Sequence, residues 1–258
     1  MISRIFGWLF DPANTGAIVS RTLEHLQYSV VALALAALIA IPAGMYVGHT
    51  GRGRFAVVNL AGAARAIPTL GLLYLMVLLL GPRLTGDVAF LLPNLLVLVV
   101  LAIPPILSGT YAGIDEVDPA ARDAAKGMGL TGREVLLRVE FPCALPLVFS
   151  GLRSALLQVV ATATIAATAG LGGLGRFLID GLAVRDFPQM AAGAILVAVL
   201  ALLCDLVFGL AQRYAVSPGI SGRTRRRTRR ARRERDADSG ASASRTERDR
   251  LDAGASAS

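Results

Sequence analysis

The sequence predicts an all-α integral membrane protein with about five transmembrane helices and a helical loop on the cytoplasmic side. Hydrophobic residues make up 54% of the 258 residues and charged residues 17%, whereas soluble domains carry about 25% charged residues. Several uncharged runs approach or exceed the roughly 20 residues that cross a bilayer as a helix. The composition excludes an ordinary soluble domain, and two cysteines in apolar surroundings exclude a disulfide scaffold.

Five hydrophobic segments define the predicted spans. All are helical, because irregular backbone facing lipid leaves hydrogen bonds unsatisfied. We expect residues 1–22 to form an extracytoplasmic or interfacial leader and residues 23–214 to form the transmembrane domain. The spans are predicted at residues 26–48, 55–82, 88–114, 154–175 and 187–204, with prolines interrupting the first three.

The distribution of basic residues predicts the orientation. Residues 215–258 hold 12 arginines and 6 acids, so +6 of the formal net charge of +8 belongs to this tail. Arginines also follow the first span and lie between the third and fourth. The positive-inside rule then places the N-terminus outside and the C-terminus in the cytoplasm. We expect the tail to be disordered and to bind anionic lipids in preference to nucleic acid.

Charged and metal-ligating residues are scarce within the spans. Arg65 is expected to reach the cytoplasmic interface with its long side chain. Asp205 is expected to pair with Arg213 or to reach the lipid headgroups. The two histidines, His25 and His49, flank the first span and suggest no metal site.

Residues 115–146 form the only long charged segment between spans, and local signals predict two short helices there. Asp118 is a good N-cap followed by proline, and Gly129 suits the position after the helix end. Thr131 and Glu134 have capping-box spacing, and Pro142 is predicted to end the second helix. The resulting Ala-rich surface, on Ala121, Ala124, Ala125 and Met128, suits the docking of a soluble partner.

The spacing in this segment resembles the EAA loop of ABC importer permeases, and residues 115–146 are hereafter the coupling loop. The family pattern is Glu-Ala-Ala, three residues, Gly, nine residues, Ile, one residue and Leu-Pro. This sequence differs by Asp at 123, Val at 139 and Phe at 141. The matching positions are Asp123, Ala124, Ala125, Gly129, Val139 and Pro142.

Three further runs are similar to motifs of the osmoprotectant permeases, the glycine betaine/carnitine/choline group. They lie at residues 66–73 (Ala-Ile-Pro-Thr-Leu-Gly-Leu-Leu), 103–114 (Ile-Pro-Pro-Ile-Leu-Ser-Gly-Thr-Tyr-Ala-Gly-Ile) and 170–175 (Gly-Leu-Gly-Gly-Leu-Gly). The likeness covers residues 23–214. It implies a type I ABC importer permease that translocates a small osmoprotectant.

The resemblance also implies partners and roles. A cytoplasmic ATP-binding subunit would sit on the coupling loop, a second permease subunit of the same or a sister kind would complete the path, and an extracytoplasmic binding protein would deliver substrate. Asp123 would anchor the loop, Gly129 would allow close backbone approach, and Pro142 would fix the exit angle. This chain would be no enzyme and would hold no cofactor, since ATP is bound by the partner and the sequence lacks a phosphate-loop motif.

The translocation path is less marked in the sequence. Aromatic side chains can hold quaternary ammonium groups by cation–π attraction, which makes Tyr74 and Tyr111 candidates. Pro68 and Thr69, in the run at residues 66–73, are the other two candidates for the path. Three alternatives stay open at this point. The chain could be an ABC permease for another small solute of amino acid type, a secondary transporter or channel, or a membrane anchor without a transport role.

Overall fold

The structure, a computed structural model, describes residues 1–215; of residues 58, 60, 61, 63–65 and 215 it describes the backbone only. The side chain of Arg65 and the predicted lipid-binding tail therefore lie outside the described residues. Regular structure in the described range is helical: α1 (Ile2–Leu9), α2 (Pro12–Thr50), α3 (Arg54–Ala66), α4 (Thr69–Leu80), α5 (Val88–Asp115), α6 (Pro119–Gly127), α7 (Gly132–Val135), α8 (Phe141–Ala166), α9 (Gly175–Ala183) and α10 (Phe187–Ala215), with 3₁₀ turns at Gly81–Arg83 and Ala167–Ala169 and a π turn at Leu136–Glu140.

Four long apolar helices correspond to four of the five predicted spans. They are α2, α5, the continuous segment Gly132–Ala169 and α10. The first begins well before residue 23, because Asp11 caps it at Pro12 by accepting a hydrogen bond from the Ala13 amide at 2.9 Å. Residues 12–22 are therefore part of this helix, and only α1 precedes it as a separate element.

The predicted second span is not one helix. It is broken into α3 and α4 at Ile67 and Pro68, where Ile67 is extended with φ −73° and ψ 123°. A residue before proline is disfavoured in the helical region, and proline itself has no amide hydrogen for the ladder. The two pieces have 13 and 12 residues, so each is shorter than the roughly 20 residues that a bilayer requires.

The centre of the bundle is formed by α2, α5 and α8, which pack closely through glycines. A Cβ added at Gly44 would lie 2.7 Å from the Thr110 side chain, and one at Gly109 would lie 2.7 Å from the Leu147 carbonyl oxygen. Small residues let membrane helices approach in this way. The core side chains around these contacts include Ala32, Ala36, Leu98, Ala102, Ile106, Ala155, Val159 and Ala163.

The two ends of this bundle carry different loops. The coupling loop follows α5 and precedes α8 at one end, hereafter the loop end. The opposite end holds residues 170–175, hereafter the glycine loop, where Gly170 lies against Phe90 near the start of α5. This arrangement puts the two loops at opposite ends of α5.

Candidate functional site

The first helix of the coupling loop, α6, has the predicted start and end. The Asp118 carboxylate accepts a hydrogen bond from the Ala120 amide at 2.9 Å. At the other end the Gly129 amide donates to the Lys126 carbonyl at 2.9 Å and the Leu130 amide donates to Ala125 at 3.2 Å. This pair of bonds is the Schellman arrangement. Gly129 has φ +87°, so the predicted glycine stop is confirmed.

The second helix starts as predicted but does not end as predicted. The Thr131 amide donates to Glu134 Oε2 at 2.9 Å, which forms one half of the capping box. The prediction that Pro142 ends this helix is wrong, because the chain stays helical from Gly132 to Ala166. Pro142 lies in the first turn of α8, directly after the π turn. The altered hydrogen-bond register of that turn accommodates the missing proline amide.

The coupling loop presents a small exposed surface. Ala121, Asp123, Ala124 and Gly129 are exposed, and Met128 is 74% exposed. A Cβ at Gly129 would meet nothing within 4 Å. Within the described residues, Gly129 is therefore required for its positive φ and not for close packing. A close approach of another backbone to Gly129 would have to come from a partner protein.

The remaining motif residues lie behind that surface. Ala125 is 1% exposed and faces the interior, so the predicted four-residue face is reduced to three. Val139 lies in the π turn, Pro142 lies in the first turn of α8, and both are half-buried. The structure thus brings Asp123, Ala124 and Gly129 to the surface and uses the other three to support it.

A buried ionic cluster holds the coupling loop to the bundle, and sequence reasoning missed it. Glu140, at the end of the π turn, is only 2% exposed. Its Oε1 lies 3.0 Å from Arg122 Nε, and its Oε2 accepts from His49 Nδ1 at 2.6 Å. Arg122 also donates to the Ile114 carbonyl at the end of α5. A buried carboxylate is rarely stable without partners, and here two basic groups supply them.

This cluster changes the expected role of Asp123. Among the side chains described in residues 1–215, Asp123 forms no ion pair, whereas its neighbour Arg122 pairs with Glu140. The anchor within the chain is therefore the Arg122–Glu140 pair. The available sequence signal was Glu140 itself, an acid directly before the apolar run that starts at Phe141.

The four candidate path residues do not form one site. Pro68 and Thr69 lie at the break between α3 and α4, and Tyr74 is 46% exposed with its hydroxyl 3.4 Å from the Thr168 carbonyl. Tyr111 is 7% exposed and lies at the loop end. Its hydroxyl is 3.5 Å from Asp115, and the Arg54 guanidinium lies 5.9 Å from its ring centre.

One exposed face of α8 is unusually polar for a membrane helix. Its members recur every three or four residues and so share one side of the helix. Between residues 195 and 210, the large exposed side chains of α10 are instead aliphatic, as at Leu202, Leu203, Leu206, Val207 and Leu210. The exposed face of α8, hereafter the polar face of α8, carries Ser150, Ser154 and Gln158, passes the apolar Ala161 and Ile165, and continues to Thr168 in the 3₁₀ turn after α8. The sequence shows an Ala/Thr run at residues 161–169, but no local pattern tells which side of the helix is covered.

An ion pair joins α8 to α10 beside this face. Asp205 accepts two hydrogen bonds from the Arg153 guanidinium, so the expected pairing with Arg213 is wrong. Arg153 is one helix away in space but 52 residues away in sequence. The pair lines an open groove of about 500 Å³, together with Ser150 and Ser154 of the polar face.

Comparison with known families identifies the chain's relatives. The family described as "Binding-protein-dependent transport system inner membrane component" matches residues 36–218. The glycine betaine/carnitine/choline permease protein OpuCB of Bacillus subtilis is 32% identical over 83% of this chain and 95% of its own length. The osmoprotectant import permease OsmW of Salmonella typhimurium is 32% identical over 80% and 95%. The carnitine permease OpuCD of Listeria monocytogenes is 34% identical over 78% and 87%.

Solved structures share the fold. A structure of the MetNI methionine ABC transporter in an inward-facing conformation matches with a TM-score of 0.70 at 21% identity, covering 81% of this chain and 100% of that one. An amino acid ABC transporter chain matches with a TM-score of 0.63 at 19% identity, over 78% and 95%. The fold is that of a type I ABC importer permease, and the chain belongs to the family of inner-membrane components of binding-protein-dependent transport systems.

Proposed function

We propose that this chain is the permease subunit of an ABC importer for a small osmoprotectant such as glycine betaine, choline or carnitine. The observation that carries the proposal is the 32–34% identity to osmoprotectant permeases over 78–83% of the chain. The fold neighbours include amino acid transporters, but at 19–21% identity that likeness concerns the fold alone. An osmoprotectant is therefore preferred over an amino acid as the substrate.

The coupling loop is the proposed seat of a separate ATP-binding subunit. Its exposed surface combines Ala124 and Gly129 with the 74% exposed side chain of Met128. A flat surface of small residues with one flexible apolar side chain suits contact with another protein. The chain itself would perform no ATP chemistry. The coupling loop would face the cytoplasm, as the arginines on that side favour.

The polar face of α8 is the proposed wall of the translocation path. Polar side chains exposed to lipid are unfavourable, so in membrane proteins they usually face water or another helix. Tyr74 and the break at Pro68 and Thr69 would border this face, since Tyr74 contacts Thr168 at its far end. Tyr111 is too buried to contribute in this conformation. A second permease subunit would supply the opposite wall, and an extracytoplasmic binding protein would deliver substrate at the glycine-loop end.

The substrate assignment is tested by uptake. Cells that lack other osmoprotectant importers are given this chain with its ATP-binding and substrate-binding partners. Uptake of labelled glycine betaine and of labelled choline is then measured after osmotic upshift. We expect uptake of at least one of them to depend on this chain. Equal uptake with and without the chain would contradict the proposal.

The path assignment is tested by thiol accessibility in a background with Cys143→Ser and Cys204→Ser. We expect Ser154→Cys on the polar face to react with a membrane-impermeant thiol reagent during transport and to be protected by substrate. Leu206→Cys, on the aliphatic face of α10, is the matched control and should not react. Equal reactivity at both positions would exclude the polar face as a distinct wall of the path.

A further inference from the structure

The ionic cluster at the loop end connects four elements, one of which, α2, is far from the other three in sequence. Glu140 ends the π turn, Arg122 belongs to α6, and His49 is the penultimate residue of α2. Arg122 additionally reaches the carbonyl of Ile114 in α5. Along the chain, α6 adjoins α5 and the helical segment that begins at Gly132 and leads into α8, so its link to α2 runs through the side chains of Arg122, Glu140 and His49.

The contact with α2 is specific in geometry. The two oxygens of Glu140 have different partners: Oε1 lies 3.0 Å from Arg122 Nε as an ion pair without hydrogen-bond geometry, and Oε2 accepts a hydrogen bond from His49 Nδ1 at 2.6 Å. The other ring nitrogen of His49 lies on the side of Gly132, where an added Cβ would be 3.5 Å away. His49 therefore lies between the start and the end of the segment Gly132–Glu140.

The π turn places Glu140 in this position. An inserted residue rotates the following side chains by about 100° relative to a continuous α-helix. Pro142 follows two residues later, in the first turn of α8. π turns inside helices are frequent at functional sites. Here the turn directs the only acid between Arg138 and Arg153 inward, where it is 2% exposed.

We propose that Glu140 is a positioning residue for energy coupling, and that it transmits movement of α6 directly to α2. This inference rests on the proposed docking of an ATP-binding subunit on the coupling loop. A displacement of α6 would move Arg122, and the shared carboxylate would carry His49 and the end of α2 with it. The movement caused by the ATP-binding subunit would then reach the helix bundle through α2 as well as through the covalent connections to α5 and α8.

The test compares Glu140→Gln with the same substitution at Glu116, an exposed acid at the end of α5. Each permease variant is purified with its ATP-binding subunit, reconstituted into vesicles, and assayed for association, ATP hydrolysis and glycine betaine uptake. For Glu140→Gln we expect unchanged association and about tenfold less betaine transported per ATP hydrolysed. Glu116→Gln should behave like the unmodified chain. An unchanged transport-to-hydrolysis ratio in an associated Glu140→Gln complex would overturn the proposal.

A second variant keeps the test decisive if Glu140→Gln fails to fold. Arg122→Gln removes the α6 side of the cluster and should by itself lower the same ratio. Where Glu140→Gln folds, the double variant should lose no more than the larger single loss. Additive losses, or an unchanged ratio in Arg122→Gln, would overturn the inference. Failure of the proposed function itself would look different, because the unmodified chain would then show no association or no betaine uptake.

Discussion

Gly129 in the coupling loop and Gly173 in the glycine loop have nearly the same backbone angle but opposite surroundings. Their φ values are +87° and +86°. A Cβ at Gly129 would meet nothing within 4 Å, whereas one at Gly173 would lie 3.1 Å from His25 Nδ1 and 3.2 Å from His25 Cα. The same residue type therefore ends a helix at a free surface in one loop and permits tight packing in the other.

The difference extends to how each loop is attached. The glycine loop is held by close contact and by a hydrogen bond from the Gly173 amide to Glu24 of α2 at 2.9 Å. The coupling loop is held by the side-chain cluster around Glu140 and by the buried side chains of Val117, Ala125 and Val135. Close packing leaves little room for displacement, while ionic contacts between side chains can shift with their helices. We infer that the glycine loop is the rigid end of the bundle and the coupling loop the adaptable one.

The largest expected effect is at Gly175, where α9 crosses α8. An added Cβ would overlap the Thr164 carbonyl oxygen and lie 2.7 Å from Ala167 Cβ. The backbone cannot move aside as a flexible side chain does. We therefore expect the Gly175→Val protein not to fold into the helix bundle and to aggregate. Size-exclusion chromatography of the detergent-solubilised chain measures this aggregation. The control is Gly16→Ala, where nothing lies within 4 Å; a monodisperse Gly175→Val protein would contradict the rigid-end interpretation.

The second prediction compares alanine at the two left-handed glycines. Both substitutions impose a left-handed backbone on a residue with a Cβ, which costs about 1–2 kcal/mol. Only Gly173→Ala also presses against His25, and overpacking typically adds about 1–3 kcal/mol. Thermal unfolding should therefore show a lower midpoint for Gly173→Ala than for Gly129→Ala. Equal midpoints would show that His25 moves aside and that the glycine loop is not rigid.

The third prediction concerns a bulky residue at Gly129. Because the surrounding space is open in the isolated chain, Gly129→Val should still insert into the membrane with a stability loss of about 1–2 kcal/mol. At the proposed docking surface the added side chain should block the ATP-binding subunit and abolish uptake. Co-purification and uptake assays measure both, with Gly127→Ala as the neighbouring control. Normal association and uptake in Gly129→Val would place the docking surface elsewhere.

The smallest expected effect is on the N-cap of α6. Asp118→Ala removes the acceptor of the Ala120 amide, which costs about 1 kcal/mol in helices. Amide hydrogen exchange in α6 should then quicken by about fivefold without a change in the rest of the bundle. Asp118→Asn keeps an acceptor oxygen and should restore slow exchange. Faster exchange in the glycine loop as well would show that the two loops are not independent.

Local chemistry explains what could be predicted from the sequence. Apolar run length predicted five spans, and four of them are helices long enough to cross a membrane. The span predicted at residues 88–114 is observed at Val88–Asp115, whereas the second is broken at Ile67 and Pro68. Helix capping depends on residues that are close in sequence. The capping roles of Asp118, Gly129 and the Thr131–Glu134 pair could therefore be predicted. Pro142 was misjudged because a proline that follows a π turn can continue a helix. The role of the exposed loop residues in docking stays a prediction.

The sequence by itself determined that this chain is a bundle of membrane helices with a capped helical loop, because hydrophobic length and capping are properties of contiguous residues. Only the tertiary structure decided which charges meet. Arg153 pairs with Asp205, which is 52 residues away in sequence, and His49 pairs with Glu140, which is 91 residues away. Such pairs depend on helix rotation and on close approach at glycines, which no local pattern encodes. The polar face of α8 was likewise defined only when α2 and α5 covered the opposite side.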